Sequence, residues 1–456
     1  MIRQQRSYNV RFIVSYIYFL IVLGIYIMIL NTRGIYNSES FYISNTLIIV
    51  YSLINILIHE NKAYSVKKFF HLFVFFFMGI APLLQYKNGD QTVVGYDISE
   101  QTYIYTNYIV LMCSICFDIF YNVFYKSIRF RNFEYKFRLG ITKRNEPKVW
   151  TRLLVTLSVF SCLYILYYYR NAPLLLVFRG IEGISVGTNQ ESGNYMAMIT
   201  ECVIRPLSVV CCINYLCIGK NKSIKIFLFL LSLITCFPLS IARLRVAAYY
   251  IPMLIIIFPK LRYNNKFVIV FIGGILLVFP FLNIFRNWGN SDMLSVTDTF
   301  AMFRSMNFDS YQSFAFVIQN DIITYGRQLL VALFFWVPRV FWPNKPFFSG
   351  HMVAHEYGLW FDQISMNYYA EGYLNAGLFG VLIFVIILAY CSAKFDVGYW
   401  KYNNGRTNTL YAPFFLIFAS MLFFILRGDL MFAFEYTICL MLDCYIIFKI
   451  TKKIYL

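Results

Sequence analysis

Long runs of apolar residues recur along the chain, and short polar segments separate them. A helix of about 20 apolar residues crosses the hydrocarbon core of a bilayer, so each such run predicts a membrane span. The pattern predicts an all-α polytopic membrane protein, with residues 1–456 in a single integral membrane domain. The twelve predicted spans are 11–30, 41–58, 69–84, 103–125, 153–169, 194–218, 226–242, 246–259, 267–284, 372–392, 410–426 and 430–448.

Charge supports this class and gives the chain an orientation. Only 14% of the residues are charged, against about 25% in soluble domains. If the N-terminus is cytoplasmic, the inner segments hold 27 Lys and Arg residues and the outer segments hold 12. Because cytoplasmic segments of membrane proteins are enriched in basic residues, we expect both termini to be cytoplasmic. The formal charge of +18 then sets orientation and does not indicate a nucleic-acid partner.

The longest segment between predicted spans, residues 285–371, lies outside by this count. Inside it, residues 326–350 read GRQLLVALFFWVPRVFWPNKPFFSG, and His351 follows directly. This stretch carries too many prolines and charges to cross a membrane, yet it is too apolar for an ordinary loop. We expect Leu329–Trp336 to form a helix in or on the membrane, which Pro338 ends.

Arginine dominates the outer cations and accounts for ten of the twelve. Any basic residue can set the orientation of a membrane protein, because only its charge matters. The planar arginine fork, in contrast, binds phosphate or carboxylate through paired hydrogen bonds. These arginines therefore predict a site for an anionic group at the membrane surface; the alternative is that they pair with acidic residues of the same face. The candidates are Arg339, Arg327 and Lys345 in the long segment, and Arg243, Arg245 and Arg427 in short turns.

Two further charges lie within a predicted span. Glu201 and Arg205 are four residues apart, directly before Pro206. A charge near the bilayer centre costs roughly 2.5–3.5 kcal/mol, so such residues pair or face a cavity. They form either an internal pair that stabilises the bundle or a polar wall of a substrate channel.

Several chemistries have no support in the sequence. There is no glycine-rich phosphate-binding motif and no soluble cytoplasmic domain, which disfavours ATP-driven pumps and nucleotide-dependent cytoplasmic transferases. All eleven cysteines lie in hydrophobic segments, so we expect no disulfide framework. We expect neither a cofactor nor a metal.

Five short motifs resemble the signature of O-antigen polysaccharide polymerases of the Wzy type, most strongly over residues 326–380. They are Gly326-Arg327-Gln328-Leu329-Leu330, Val337-Pro338-Arg339, Trp342-Pro343-Asn344-Lys345-Pro346, Ser349-Gly350-His351 and Glu371-Gly372-Tyr373-Leu374-Asn375-Ala376-Gly377. The twelve spans, the long outer segment and the Arg427-Gly428-Asp429 turn agree with the resemblance.

The resemblance implies a glycosyltransferase that acts on the outer side of the bacterial inner membrane. Such enzymes polymerise oligosaccharide repeat units carried on undecaprenyl diphosphate into O-antigen or capsular polysaccharide, and need no nucleotide or metal. Membrane lipids, a chain-length regulator and a flippase of the same pathway are the implied partners. The alternatives are a ligase that uses the same donor, or a transporter of lipid-linked oligosaccharides.

This chemistry assigns expected roles to the candidate residues. A departing diphosphate gains negative charge, which prepositioned arginines stabilise, with Arg339 and Arg327 first. An attacking sugar hydroxyl benefits from a general base, for which His351 is the first choice and Glu371 the second. Arg243, Arg245, Arg427, Lys345 and Arg205 are expected to bind the diphosphate or the substrate, and Tyr368 and Tyr369 to contact the saccharide.

Overall fold

The structure is a computed structural model that describes residues 34–93, 96–128, 147–178, 195–263, 265–278, 301–359 and 364–455, and residues 20, 22–24 and 27. Within these ranges the chain is helical and contains no strand. Most of the first predicted span, the last part of the ninth, and residues 285–300 of the long outer segment lie outside the described residues.

Fifteen α-helices, some of which contain π-helical turns, lie in the described ranges, and they account for the apolar pattern. In chain order they are α1 (Glu39–His59), α2 (Val66–Asn88), α3 (Glu100–Ser127), α4 (Lys148–Tyr168), α5 (Tyr195–Ile218), α6 (Lys222–Thr235), α7 (Arg243–Ile257), α8 (Lys266–Leu277), α9 (Ala301–Arg304), α10 (Ser310–Gln319), α11 (Arg327–Leu333), α12 (Ser349–Glu356), α13 (Tyr368–Tyr402), α14 (Ala412–Arg427) and α15 (Leu430–Ile454). Seven of them are long and apolar enough to cross a membrane: α1 to α5, α13 and α15. The prediction of a helical membrane protein is confirmed, and the number of twelve spans stays a prediction.

Helix α2 lies at the centre of the bundle and is buried on every side. Its basic residues are buried as well, and a buried charge is tolerated when it is paired. Lys67 Nζ and His71 Nε2 each lie 3.0 Å from Asp118 Oδ1 on α3. The ring of Phe70 on α2 stacks on the ring of Phe117 on α3, with the ring centres 3.8 Å apart. These contacts hold α2 and α3 together.

Helix α10 belongs to the predicted outer segment, but it is packed inside the protein. Its residues Ser310–Ile318 are all buried. The hydroxyl of Tyr311 donates to the backbone oxygen of Tyr103 at 2.7 Å, and the side chain of Gln312 accepts from the backbone N–H of Thr92 at 2.6 Å. This part of the predicted outer segment therefore packs against α3 and against the connection that precedes α3.

Helix α13 contains a sharp break where a continuous span was expected from residue 372. Ala376 has φ −159° and Gly377 has φ 59° and ψ −148°, a combination available only to glycine. The residues before the break fold back along those after it, and Tyr368 donates to the backbone oxygen of Phe384 at 3.0 Å. The predicted span 372–392 therefore has a different start, because its first turn packs beside the helix that follows.

Candidate active site

A cavity of about 200 Å³ lies at the end of the bundle where α5 and α15 begin, which we call the site end. Its walls are the loop 335–348 that follows α11, the first turn of α5 at Tyr195, and the first turns of α15. Among the described residues, the charged side chains that line it are Arg339, Lys345 and Glu435. Two cations and one carboxylate therefore line the same cavity.

Lysine 345 holds the loop in shape. Its ammonium donates to the backbone oxygens of Phe334, Phe335 and Val337 at 3.2, 2.8 and 3.1 Å. These carbonyls follow the C-terminal end of α11, where a positive charge is favourable. Burial, and then the charge of Arg339, lower the pKa of Lys345.

Arginine 339 lies across the same loop. Its Nη1 donates to the backbone oxygen of Lys345 at 2.6 Å, and its guanidinium lies 4.7 Å from the centre of the Phe347 ring. A guanidinium has five N–H donors, and the contact to Lys345 uses one of them. Arg339 therefore has a fixed position and the donors that an anionic ligand needs.

The far end of the loop is anchored by two buried carboxylates, Glu371 and Asp429, which we call the carboxylate pair. Helix starts carry backbone N–H groups without partners in their own helix. The carboxylate pair accepts hydrogen bonds from the starts of both α12 and α15. The donors to Glu371 are Ser349 Oγ at 2.9 Å and Leu430 N at 3.0 Å, and those to Asp429 are Gly350 N at 2.9 Å and Met431 N at 3.0 Å.

This arrangement changes the role expected for Glu371. The residue is fully buried, and both of its oxygens accept hydrogen bonds from the protein. Glu371 is therefore part of a buried frame that holds the starts of α12 and α15 in place. It is not a base open to a sugar hydroxyl. Gly350 belongs to the same frame, because a Cβ at this position would lie 2.1 Å from the backbone oxygen of Ile364.

The other two predicted catalytic residues do not line the cavity. Arg327 is exposed at the first position of α11. His351 packs beside the loop, with its ring 4.6 Å from that of Phe347 and 5.5 Å from that of Phe348. His351 thus lies behind two rings of the cavity wall.

Arg243 and Arg245 were expected in a turn on one face, and the structure corrects this. Both lie in the first turn of α7, where residues two apart point in different directions. Arg245 Nη1 lies 3.4 Å from Glu201 and donates to the hydroxyl of Tyr436 at 2.9 Å. Arg243 lines a separate apolar cavity.

Arg205 is buried, and its guanidinium is paired and hydrogen-bonded within the protein. It contacts Glu201 at 3.0 Å and donates to the backbone oxygen of Thr235 and to Ser240 Oγ, both at 2.9 Å. Of the two roles that the sequence left open, this geometry matches the internal pair.

The remaining predicted contacts are also engaged inside the protein. Arg427 lies 3.0 Å from Asp309, which it ties to the end of α14. Tyr368 and Tyr369 are 6% and 1% exposed, so neither ring is available to stack on a sugar. Both belong to the core, because α13 folds back over them.

Sequence reasoning missed Glu435 as a site residue. It lies on α15, lines the cavity, and accepts a hydrogen bond from Cys202 Sγ at 3.1 Å. The signal was a carboxylate within an apolar span, the same signal that singled out Glu201. Tyr195 was missed too: it lines the cavity and donates to the backbone oxygen of Trp336.

Comparison with family models, with curated proteins and with solved structures finds no match to this chain. The fold therefore defines the class, a helical protein whose apolar helices are suited to a membrane. The cavity adds two cations and a carboxylate at one end of those helices. Such a set can hold an anionic group and accept a proton beside it.

Proposed function

We propose that this protein is a polysaccharide polymerase of the bacterial inner membrane. It transfers a glycan from undecaprenyl diphosphate to a sugar hydroxyl of the next lipid-linked repeat unit, on the outer side, and so extends O-antigen or capsular polysaccharide. The observation that carries the proposal is the cavity that Arg339, Lys345 and Glu435 line together. The signature-like motifs of residues 326–380 support it, since they supply both cations.

The residues of the cavity suit each part of this reaction. The acceptor oxygen forms a bond to the anomeric carbon, and the bond from that carbon to the diphosphate oxygen breaks. Arg339, aided by the charge of Lys345, stabilises the negative charge that develops on the leaving diphosphate. The acceptor hydroxyl gives up its proton, which the Glu435 carboxylate receives.

The surroundings of the cavity suit a lipid-linked donor. Apolar side chains of the loop remain exposed, with Val340 at 85% and Phe341 at 81%. Exposed apolar patches mark surfaces that meet a partner or a membrane. The isoprenoid chain of the donor can therefore stay in the bilayer while its diphosphate enters the cavity from the side.

Deletion of the gene and gel analysis of the surface glycan test the reaction class. We expect a glycan with a single repeat unit, because assembly and attachment still occur without polymerisation. Complete absence of glycan on its acceptor would overturn the proposal and favour the ligase or the flippase.

Complementation with Arg339→Lys tests the site. Lysine keeps the charge but lacks the fork, so we expect long chains to disappear while the protein stays in the membrane. Loss of one such stabilising donor lowers turnover by about 10²–10³-fold. The matched control is Arg170→Lys, an exposed arginine at the end of α4, which should restore full-length polymer. Wild-type chain length with Arg339→Lys would remove Arg339 from the site.

A further inference from the structure

A second cavity, of about 230 Å³, runs along one face of α7 and forms an elongated groove. Its floor is a helical stripe that includes Arg243, Ala247, Tyr250, Ile251 and Leu254. From the first to the last of these residues the helix rises about 16 Å. The groove therefore runs parallel to the helices, as a lipid chain does in a bilayer.

The opposite wall is apolar and largely aromatic. Phe271 of α8 and Phe423 of α14 line it, and Phe77 of α2 closes one side. Val270 of α8 also lines the groove and is 43% exposed, so the groove reaches the outer apolar surface of the helix bundle. In a membrane this surface meets lipid, which gives a hydrocarbon chain a route of entry.

The one charged side chain among the described lining residues is Arg243, and it lies at one end of the stripe. A groove that is apolar along its length and cationic at its end is complementary to an amphiphile with an anionic head. The volume exceeds the roughly 150 Å³ that suffices for benzene. It therefore accommodates a segment of a chain and leaves the rest of the chain in the bilayer.

The position of the groove relates it to the candidate active site. Arg245, two residues from Arg243, contacts Tyr436 of α15, and the neighbouring Glu435 lines the first cavity. The first turn of α7 therefore contacts the helix that carries Glu435, and its Arg243 lines the groove.

We propose that the groove is a second lipid site, which holds the isoprenoid chain of the acceptor with its diphosphate at Arg243. This assignment rests on the proposed function, in which each transfer joins two lipid-linked glycans. The donor diphosphate lies at Arg339, beside the charge of Lys345, and the acceptor diphosphate lies at Arg243. The flat alkene units of an isoprenoid pack well against the aromatic wall, which favours it over a saturated acyl chain.

Two adjacent glycines of α8 provide a matched test. A Cβ at Gly273 or at Gly274 would meet no atom within 4 Å, and Gly274 lines the groove whereas Gly273 is not among its lining residues. Gly274→Leu therefore fills the groove, and Gly273→Leu introduces the same side chain outside it. Both replace a helix glycine with a better helix former, so both should fold.

Native mass spectrometry of the purified full chain with undecaprenyl diphosphate measures the outcome. We expect two bound equivalents for the wild type and for Gly273→Leu. For Gly274→Leu the second equivalent should be lost, and for Arg243→Gln it should bind roughly tenfold more weakly. A single equivalent in the wild type would overturn the proposal. So would a second equivalent that still binds to both Gly274→Leu and Arg243→Gln. Ala247→Phe fills the groove from α7 and replaces Gly274→Leu if that variant does not fold.

The same experiment with phosphatidylglycerol distinguishes the lipid class. Displacement of the second equivalent by phosphatidylglycerol would show a general phospholipid site and overturn the assignment to an isoprenoid. Stoichiometry does not depend on polymer formation, so the two proposals fail separately. A deletion strain with normal chain length, combined with two bound equivalents, would leave the groove as a lipid site and remove the polymerase reaction.

Discussion

Asp429 is the residue whose titration is most directly tied to the frame of the site. Burial raises its pKa to about 6, although the backbone N–H groups of Gly350 and Met431 partly oppose the shift. Because this pKa is above the ordinary value of about 3.9, folding favours the protonated carboxyl. Its contribution to stability is complete below about pH 4 and is lost as the pH rises through 6.

We therefore expect the unfolding temperature of the purified protein to fall between about pH 4 and pH 7. Asp429→Asn should flatten this part of the profile, as measured by thermal unfolding followed through tryptophan fluorescence. The exposed Asp97 is the control, and Asp97→Asn should keep the wild-type slope. An Asp429→Asn profile as steep as that of the wild type would contradict the assignment.

The sequence located the loop of the site better than it assigned the chemistry of individual residues. Arg339 and Lys345 were predicted to belong to a site for an anionic group, and both line the same cavity, whereas His351 does not line it. Glu371 was expected to act as a base, but its partners come from helix starts distant in sequence. One-dimensional spacing gives no sign of such partners, so Glu371 was chosen as a base although its oxygens are bonded within the protein.

At the scale of elements, the break in α13 rests on close contact between two glycines. A Cβ at Gly380 would lie 2.1 Å from the backbone oxygen of Gly372, and a Cβ at Gly372 would lie 2.8 Å from the Cα of Val381. Both obstacles are backbone atoms, which cannot rotate away. The turn at Gly377 can therefore close only if both positions lack a side chain.

We expect Gly380→Ala to destabilise the protein by about 1–3 kcal/mol, the range for overpacking in a well-packed region. The measurement is the shift in unfolding temperature relative to the wild type. Gly273→Ala is the matched control in α8, where a Cβ meets open space, and should be neutral or stabilising by up to about 1 kcal/mol. Equal shifts for the two variants would show that the fold-back does not depend on this contact.

The observed ends of the helices match the predicted spans where one continuous helix crosses the bundle. They differ from the predicted spans where two helices pack end to end. Helix α3 contains the predicted span 103–125 completely, and α4 contains the predicted span 153–169 except for its last residue. The turn expected around Arg243 is instead the first turn of a helix. Helix α10 belongs to the segment predicted to lie outside, yet α3 and α13 cover it. Hydropathy reports average burial in lipid, and so cannot reveal burial by neighbouring protein.

At the scale of the whole molecule, the basic residues predict which end of the bundle is cytoplasmic. The site end holds Arg339 and the loop with exposed Val340 and Phe341, and the opposite end holds the connection between α13 and α14. The unequal count of 27 and 12 basic residues predicts that the site end faces outward. This orientation matters for the proposed function, because a lipid-linked glycan is polymerised where it is displayed.

Cysteine labelling in intact cells tests the orientation. Asn344 and Asn408 are exposed asparagines at the two ends, in the site loop and in the connection between α13 and α14. We expect a membrane-impermeant maleimide to label Asn344→Cys in intact cells, and to label Asn408→Cys only after permeabilisation. The eleven native cysteines are free, and nine are buried and two half-buried within helices, so background labelling should be low. The reverse pattern would place the site end in the cytoplasm, where Arg339 and Glu435 could not meet a glycan that is polymerised outside, and the polymerase proposal would fall with it.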